Sequence, residues 1–487
     1  MSIRNQAAKG MIWSTIERFS TQGIQFVLTI IIARILLPDD YGLVAMLSIF
    51  MAISQSLVDS GFGNALIQKK KRTETDYSTA FCFNIVVSIC IYSLLYITAP
   101  FIAAFYDQPQ LVKIARVLGL NMVIVSLGTV QMIRFTIELD FKRLTIVALS
   151  SVIGGGAVGI WMAFHGFGVW ALVFQTLIGS TLWSISLWLL SDKYTCWGFS
   201  IHSFRQLFSF GSRIMISGIL HTVYVNMYSL VVGKFFNASI LGYFNRAYTL
   251  GQFPVQNFSA ILLRVLYPVL CRYQDNETKF NYIFANYLRM SCFIIFPVMI
   301  LLSILAEPII GLLLTDKWLP AAPLLQIICL AQMWDPIMKI NTSALEAKGR
   351  SDFRLYSEII KKIIALSIMF GTLFLGIRAV CIGLVFYAFV DVVITIWFSK
   401  KVIGRGYLWH LKLLAPIILL TFTTGILVLG MSALFVTALG KLLSGMILGA
   451  LFYGGIAYLL KFPELLIISS FLKAVSYTHL RAHETLM

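Results

Sequence analysis

The sequence predicts an all-α integral membrane protein of about fourteen transmembrane helices, laid out as two parallel six-helix lobes followed by two C-terminal helices. Three observations carry that expectation. First, 59% of the 487 residues are hydrophobic and only 12% are charged, and the mean hydropathy is +0.86. Soluble domains carry about 25% charged residues, and no globular core hides this much apolar surface, so lipid is the expected solvent. Second, the apolar residues fall into runs close to the ~20 residues that cross a bilayer. Third, the stretch from Gly10 to Gly42, which mixes an apolar run with Glu17, Arg18, Gln22 and Gln25, has a counterpart roughly two hundred residues later.

In order, the spans are expected at 10–36, 41–64, 78–105, 111–133, 143–165, 168–191, 207–235, 239–262, 281–304, 319–341, 356–376, 379–399, 409–434 and 439–461. His165-Gly166-Phe167-Gly168 is so short that spans 5 and 6 must form a tight antiparallel pair, and Gly376 repeats that design between spans 11 and 12. The net charge of +17 sits in short loops between apolar runs. That pattern reads as membrane orientation and not as nucleic-acid binding. Inner segments carry Arg4 and Lys9, the run Lys69 to Arg72, Lys142 and Arg143, Lys193 and Arg205, Arg272 and Lys279, Lys348 to Arg354, and Lys400 to Arg405. Outer loops carry little beyond Lys234, Lys317 and Arg378, so both ends are expected in the cytoplasm. The Lys69–Arg72 run is read as an orientation signal touching anionic membrane lipids.

The repeat pairs Arg34 and Gly42 with Lys234 and Gly242, Thr21 with Thr222, and Gln25 with Asn226. Ala171-Leu172-Val173-Phe174 likewise parallels Gly383-Leu384-Val385-Phe386. Each unit has six spans and enters from the same side, so the repeats are parallel. The expected domains are 1–201 (spans 1–6), 202–403 (spans 7–12) and 404–475 (spans 13–14). Residues 476–487 resemble a translated library adapter, are expected to be non-native and leave the natural C-terminus open. No cleavable signal is expected at the start, because the first apolar run is long and lacks a small-residue cleavage pattern. The seven cysteines lie mostly in apolar segments without paired spacing, which speaks against disulfides or a zinc site. His479 and His483 have metal-ligand spacing but lie in the tail, so no metal is expected.

Ionisable residues inside lipid are expensive and usually face a bundle interior or a wet cavity. Here they concentrate on one face of each of four spans. Span 1 carries Ser14, Arg18, Thr21, Gln22 and Gln25; span 2 carries Ser48, Gln55 and Asp59. Span 7 carries His221, Thr222 and Asn226; span 8 carries Asn245, Arg246, Thr249, Gln252 and Gln256. The simplest arrangement is a cavity between the lobes lined by these first pairs of each repeat. Arg18 and Arg246 supply fixed positive charge suited to phosphate oxygens, and amides and hydroxyls suit sugar hydroxyls. Arg213 and Arg264 read either as further cavity charges or as positive-inside anchors. Asp59 reads as an arginine partner or a proton carrier, and His221 as a packing histidine or a proton switch. Asp335 and Asp391 lie outside the set and receive no role.

No Walker loop, HExxH, GxSxG or soluble catalytic domain is visible, so no enzyme activity and no cofactor are expected. The large polar outer loop expected of a glycan polymerase is also missing.

The chain resembles the Wzx-like polysaccharide transporters of the multidrug/oligosaccharidyl-lipid/polysaccharide flippase superfamily, which serve O-antigen, capsule and exopolysaccharide. The resemblance rests on Ala33-Arg34-Ile35-Leu36-Leu37-Pro38-Asp39-Asp40-Tyr41-Gly42-Leu43 and Gly61-Phe62-Gly63-Asn64-Ala65-Leu66-Ile67-Gln68-Lys69. It continues through Thr79-Ala80-Phe81-Cys82-Phe83-Asn84, Phe141-Lys142-Arg143-Leu144 and Gly166-Phe167-Gly168-Val169-Trp170-Ala171-Leu172-Val173, strongest over residues 1–190. It implies a fourteen-helix fold and export of an undecaprenyl-pyrophosphate-linked oligosaccharide across the bacterial inner membrane by alternating access. On that reading Arg18, Arg246 and Arg264 attract the pyrophosphate, with Asp59 beside them, while Gln25, Asn226, Gln252 and Gln256 contact sugars or keep the path wet. The turn Pro38–Gly42 is expected to set the hinge-like junction between spans 1 and 2, and a polysaccharide polymerase machinery is an expected partner. The alternatives are a multidrug exporter, which calls for an acidic cation-binding cavity, and a membrane-embedded glycan polymerase or ligase.

Overall fold

The computed structural model describes residues 3–59, 61–69, 71–192 and 198–465. Lys70, Lys193, Cys196 and the whole tail 476–487, with His479 and His483, lie outside the described residues. All regular structure among the described residues is helical, as the composition predicts.

The helices, in order, are α1 (Ile3–Ile35), α2 (Pro38–Asp59), α3 (Phe62–Gln68), α4 (Glu74–Tyr106), α5 (Gln110–Ile137), α6 (Phe141–Phe164), α7 (Val169–Leu189), α8 (Ile201–Phe235) and α9 (Ala238–Arg272). They continue as α10 (Glu277–Ile304), α11 (Ala306–Leu314), a 3₁₀ turn (Asp316–Ala321), α12 (Ala322–Gln332), α13 (Asp335–Ala347), α14 (Ser351–Leu373), α15 (Ile377–Ile403), α16 (Tyr407–Ser432) and α17 (Ala438–Leu459). Among the described residues, 11 segments are long and apolar enough to cross a membrane. Expected spans 1, 7 and 11 fall outside that set, yet are also helices, of 33, 35 and 23 residues. Their polar side chains lower their hydropathy without breaking their backbone.

Local chemistry explains most boundaries. Leu37 precedes Pro38, which cannot donate to the preceding turn, and the Asp40 carboxylate accepts from Leu37 N–H at 3.0 Å to start α2. Thr73 and Asp76 form a reciprocal capping box at the start of α4. Two expected spans differ in detail. Span 2 does not run to residue 64: it stops at Asp59, and Gly61, with φ +72°, turns the chain into the short α3. Span 10 is broken into a 3₁₀ turn, α12 and α13, because Pro336 opens a new helix after Trp334. The tight pair expected at His165–Gly168 is present: Gly166 and Gly168 both take positive φ and α6 packs along α7.

The chain divides into two compact units, residues 1–245 and 246–487. In the first, α6 packs on α7 and α1, α4 on α5, and α8 on α2, α3 and α4. Its aromatic core gathers Phe62, Tyr77, Phe81, Ile133 and Leu207, with Phe62 and Phe83 ring centroids 4.5 Å apart. In the second, α14 packs on α15, α16 on α17 and α10, and α12 on α15.

The internal repeat has a physical expression in the first unit. The carbonyl oxygen of Ala238 lies 1.8 Å from where a Cβ on Gly42 would stand, and that of Pro38 lies 2.1 Å from a Cβ on Gly242. Between these reciprocal contacts the Ser239 hydroxyl donates to Asp39 Oδ1 at 2.5 Å. Residues 38, 39 and 42 thus meet 238, 239 and 242, their own counterparts, with a local two-fold relation.

Candidate functional site

The first unit holds a pocket of about 430 Å³ lined from α1, α2, α6 and α7, with Asn245 of α9 at its edge. Gln25 comes from α1, Tyr41 and Ser48 from α2, Ser151 from α6, Gln175, Thr176 and Ser180 from α7, and Asn245 from α9. Among the described residues, none that lines it is charged. Gly155, Gly156 and Gly179 form its floor. A Cβ on Gly155 would stand 2.6 Å from the Gln175 carbonyl oxygen, a main-chain atom that cannot swing aside, so glycine is required there; one on Gly156 would stand 2.3 Å from Leu28 Cδ1, the end of a side chain that would have to move. Two hydroxyls are held by backbone: Ser151 Oγ donates to Gly179 O at 2.8 Å and Thr176 Oγ1 to Leu172 O at 3.0 Å. Ser48 Oγ is buried and has no hydrogen-bond partner among the described residues.

The opposite face of α2 borders a second, mainly apolar cavity of about 630 Å³, lined from α2, α4 and α8 by residues such as Phe50, Ile53, Leu57, Leu95 and Phe101. Steps of three and four along α2 separate Tyr41, Val44, Ala45 and Ser48 from Phe50, Ile53, Ser54 and Leu57 by about half a turn.

The expected site residues have the following places. Gln25 is exposed into the polar pocket and Arg18 is half-buried on the same helix. Asp59 is the last residue of α2; its side chain, like those of Arg213 and His221, lies outside the described residues. Asn226 donates from Nδ2 to Thr222 O at 2.9 Å, and Thr222 Oγ1 meets Ser56 Oγ at 3.0 Å, so polar groups of α2 and α8 touch directly.

In the second unit, Arg246 is 8% exposed and its guanidinium lies 5.6 Å from the Trp318 ring centroid. Gln252 is half-buried, and Gln256 and Arg264 are exposed. Arg246 and Arg264 stand eighteen residues apart on α9, about 27 Å along a helix axis. One pyrophosphate cannot bridge them. The aspartates left without a role are structural partners: Asp335 pairs with Lys339 at 2.8 Å and accepts from Ser259, and Asp391 pairs with Lys361 at 3.2 Å and accepts from Thr395 at 2.9 Å. Of the basic run at residues 69–72, Lys69 binds Asp76 and Gln206, and Arg72 caps the carbonyls of Leu66 and Ile67, so these two serve packing within the unit.

Sequence reasoning missed Ser151, Gln175, Thr176 and Ser180. Their spans read as apolar overall; the available signal was Thr176 and Ser180 at a four-residue step facing the glycine run 154–156.

A helical chain with repeated bilayer-length apolar segments and a polar pocket inside one helical unit is a multi-pass membrane protein of transporter architecture. The chain belongs to the polysaccharide biosynthesis protein family, whose model matches residues 31–323, more than half of its length. It is 27% identical to the teichuronic acid biosynthesis protein TuaB of Bacillus subtilis over 73% of this chain and 74% of that one. It is 23% identical to the lipopolysaccharide biosynthesis protein WzxC of Escherichia coli over 89% and 90%. Its fold matches that of the lipid II flippase MurJ with a TM-score of 0.73, at 15% identity, covering 92% of this chain and 99% of that one. A multidrug resistance MATE family transporter of the MOP superfamily follows with a TM-score of 0.62, 15% identity, and 81% and 98% coverage.

Proposed function

We propose that the protein is a flippase that moves an undecaprenyl-pyrophosphate-linked oligosaccharide from the inner to the outer leaflet of the bacterial cytoplasmic membrane by alternating access, with both termini in the cytoplasm. The observation that carries this reading is the family match across residues 31–323, on a chain built almost wholly of long apolar helices. Relatives named for teichuronic acid biosynthesis, lipopolysaccharide biosynthesis and succinoglycan biosynthesis transport support it. The protein is a transporter and not an enzyme on this reading. The lobes are residues 1–201 and 202–403, followed by two accessory helices in 404–475, and the polymerase machinery takes the product at the outer face.

Basic groups guide the pyrophosphate, and the spacing of Arg246 and Arg264 makes them act in sequence along α9. Arg18 acts from α1, and Asp59 serves as an arginine partner or a proton carrier. Asn226, Gln252 and Gln256 line the hydrated route. The drug-export alternative calls for an acidic cavity, whereas among the described residues lining the polar pocket of the first unit there is no carboxylate.

The test is flipping of fluorescent undecaprenyl-pyrophosphate-linked saccharide in vesicles reconstituted with the full chain. Arg18→Ala and Arg246→Ala are expected to insert normally and lose at least nine-tenths of the flipping rate, since each removes about 2–3 kcal/mol of charge-assisted hydrogen bonding. Wild-type rates in both variants refute the arginine assignment; no flipping by the wild-type protein refutes the function.

A further inference from the structure

We propose that the uncharged pocket within the first unit is a saccharide subsite: it takes sugar rings of the cargo and leaves the pyrophosphate outside. The inference rests on the transport reading above and assigns one part of the substrate to one place.

The chemistry of the lining selects the ligand class. A pyrophosphate brought into a pocket without a cation is desolvated with nothing to offset the cost, and among the described residues none that lines this pocket is charged. A drug cation meets the same obstacle with the sign reversed. A sugar hydroxyl or acetamido group is neutral, donates and accepts together, and is matched by amides and hydroxyls, which do the same. The pocket supplies such groups from separate helices: Gln25 from α1, Ser48 from α2, and Gln175 and Ser180 from α7, with the Tyr41 ring offering an apolar face to pyranose C–H groups.

These groups are also available. Gln25 and Gln175 make no side-chain hydrogen bond within the chain among the described residues, and Ser48 Oγ is buried without a partner. A buried hydroxyl left unsatisfied costs about 1–3 kcal/mol, a cost that a ligand hydroxyl removes. The shape is built by backbone. Gly155 lets α6 come so close to α7 that its missing Cβ would stand 2.9 Å from Gly179 Cα. That approach opens a recess in which Gln175 and Thr176 lie one helical turn from Gly179 and Ser180. The resulting volume of about 430 Å³ falls within the ~300–1,000 Å³ of small-ligand sites.

The test measures binding to the full chain in nanodiscs of phosphatidylethanolamine and phosphatidylglycerol, with two probes. One is undecaprenyl pyrophosphate; the other is the same lipid carrying a neutral hexose–N-acetylhexosamine disaccharide. The wild-type protein is expected to bind the glycosylated probe about tenfold more tightly than the bare one, a gain of one or two net hydrogen bonds. In Gln175→Leu that ratio falls to about one, and Gln175→Asn, which keeps the amide, retains most of it. Equal affinities in the wild-type protein, or a ratio that survives Gln175→Leu, overturns the subsite. Loss of both probes in Gln175→Leu and Gln175→Asn alike also overturns it, because the residue then acts on folding and not on sugar. Failure of the wild-type protein to bind either probe is a different result and removes the transport reading itself.

Discussion

Gly42→Ala is expected to be among the most damaging single-methyl additions in the chain. The added Cβ would stand 1.8 Å from Ala238 O, 2.4 Å from its carbonyl carbon and 2.9 Å from its Cα. A carbon ordinarily approaches a carbonyl oxygen to about 3.3–3.6 Å, so the two backbones must separate by roughly 1.5 Å. No side chain can swing away, because all three obstructing atoms are main chain. Overpacking of this kind costs about 1–3 kcal/mol, occasionally more. Thermal unfolding of the purified protein in detergent, followed by the fluorescence of its tryptophans, reads the loss as a lower midpoint. Gly242→Ala meets Pro38 O at 2.1 Å and behaves likewise. Because both variants pry apart the same crossing, the double variant is expected to lose less than the sum of the two. Gly23→Ala is the control: nothing lies within 4 Å of its Cβ position in α1, and removing a mid-helix glycine stabilises by about 0.5–1 kcal/mol. A Gly42→Ala protein as stable as wild type, or additive losses in the double variant, refutes the reciprocal backbone contact.

Other perturbations test separate features. Lys361 is buried and pairs with Asp391 and Glu358; Lys361→Met strands a buried carboxylate and should cost about 3–5 kcal/mol, whereas Lys361→Met with Asp391→Leu should recover most of it, as read by unfolding midpoints. Arg134 is 5% exposed, grips both Glu74 oxygens and lies 4.1 Å from the Tyr77 ring centroid. Arg134→Lys loses the fork and the stacking together, so a loss of about 1–3 kcal/mol is expected in the same assay, and a silent substitution would show that the fork is dispensable. Arg350→Gln removes the hydrogen bond that holds the exposed Asp352 carboxyl down at about 2. Titration of a ¹³C-labelled Asp352 should then move up toward the ordinary carboxylate range, and an unmoved value would exclude Arg350 as the cause.

Much of the architecture was legible because lipid imposes a strong rule: backbone polar groups must be satisfied within the segment, so an apolar run of the right length becomes a helix. Gly166, Gly168 and Gly376 marked their turns, since each holds a positive φ. What hydropathy could not resolve was interruption inside an apolar run. Gly61 and Pro336 each redirect the chain within a stretch that still averages as membrane-like. The pocket was half legible. Gln25 stood out as an amide in lipid, but Ser151, Thr176 and Ser180 did not, because serine and threonine in an apolar helix commonly donate to their own backbone, as Thr176 does to Leu172 O, and the bond from Ser151 to Gly179 O joins two helices. Their grouping follows from the α6–α7 approach, which is a tertiary fact. Lys361 escaped notice because its helix begins in a charged segment, and its burial and its pairing with Asp391 across to α15 are tertiary facts.

The meeting of residues 38–42 with 238–242 has the form of an isologous interface, of the kind two identical subunits make, enclosed within one chain. In a true homodimer a residue near such an axis faces a copy of itself, and an aspartate there would face an aspartate. A single chain escapes that constraint. Position 39 is Asp and position 239 is Ser, so a like-charge clash becomes a 2.5 Å hydrogen bond. The two halves could keep glycine at 42 and 242, where the backbone leaves no choice, and differ at the position between them, where asymmetry is an advantage.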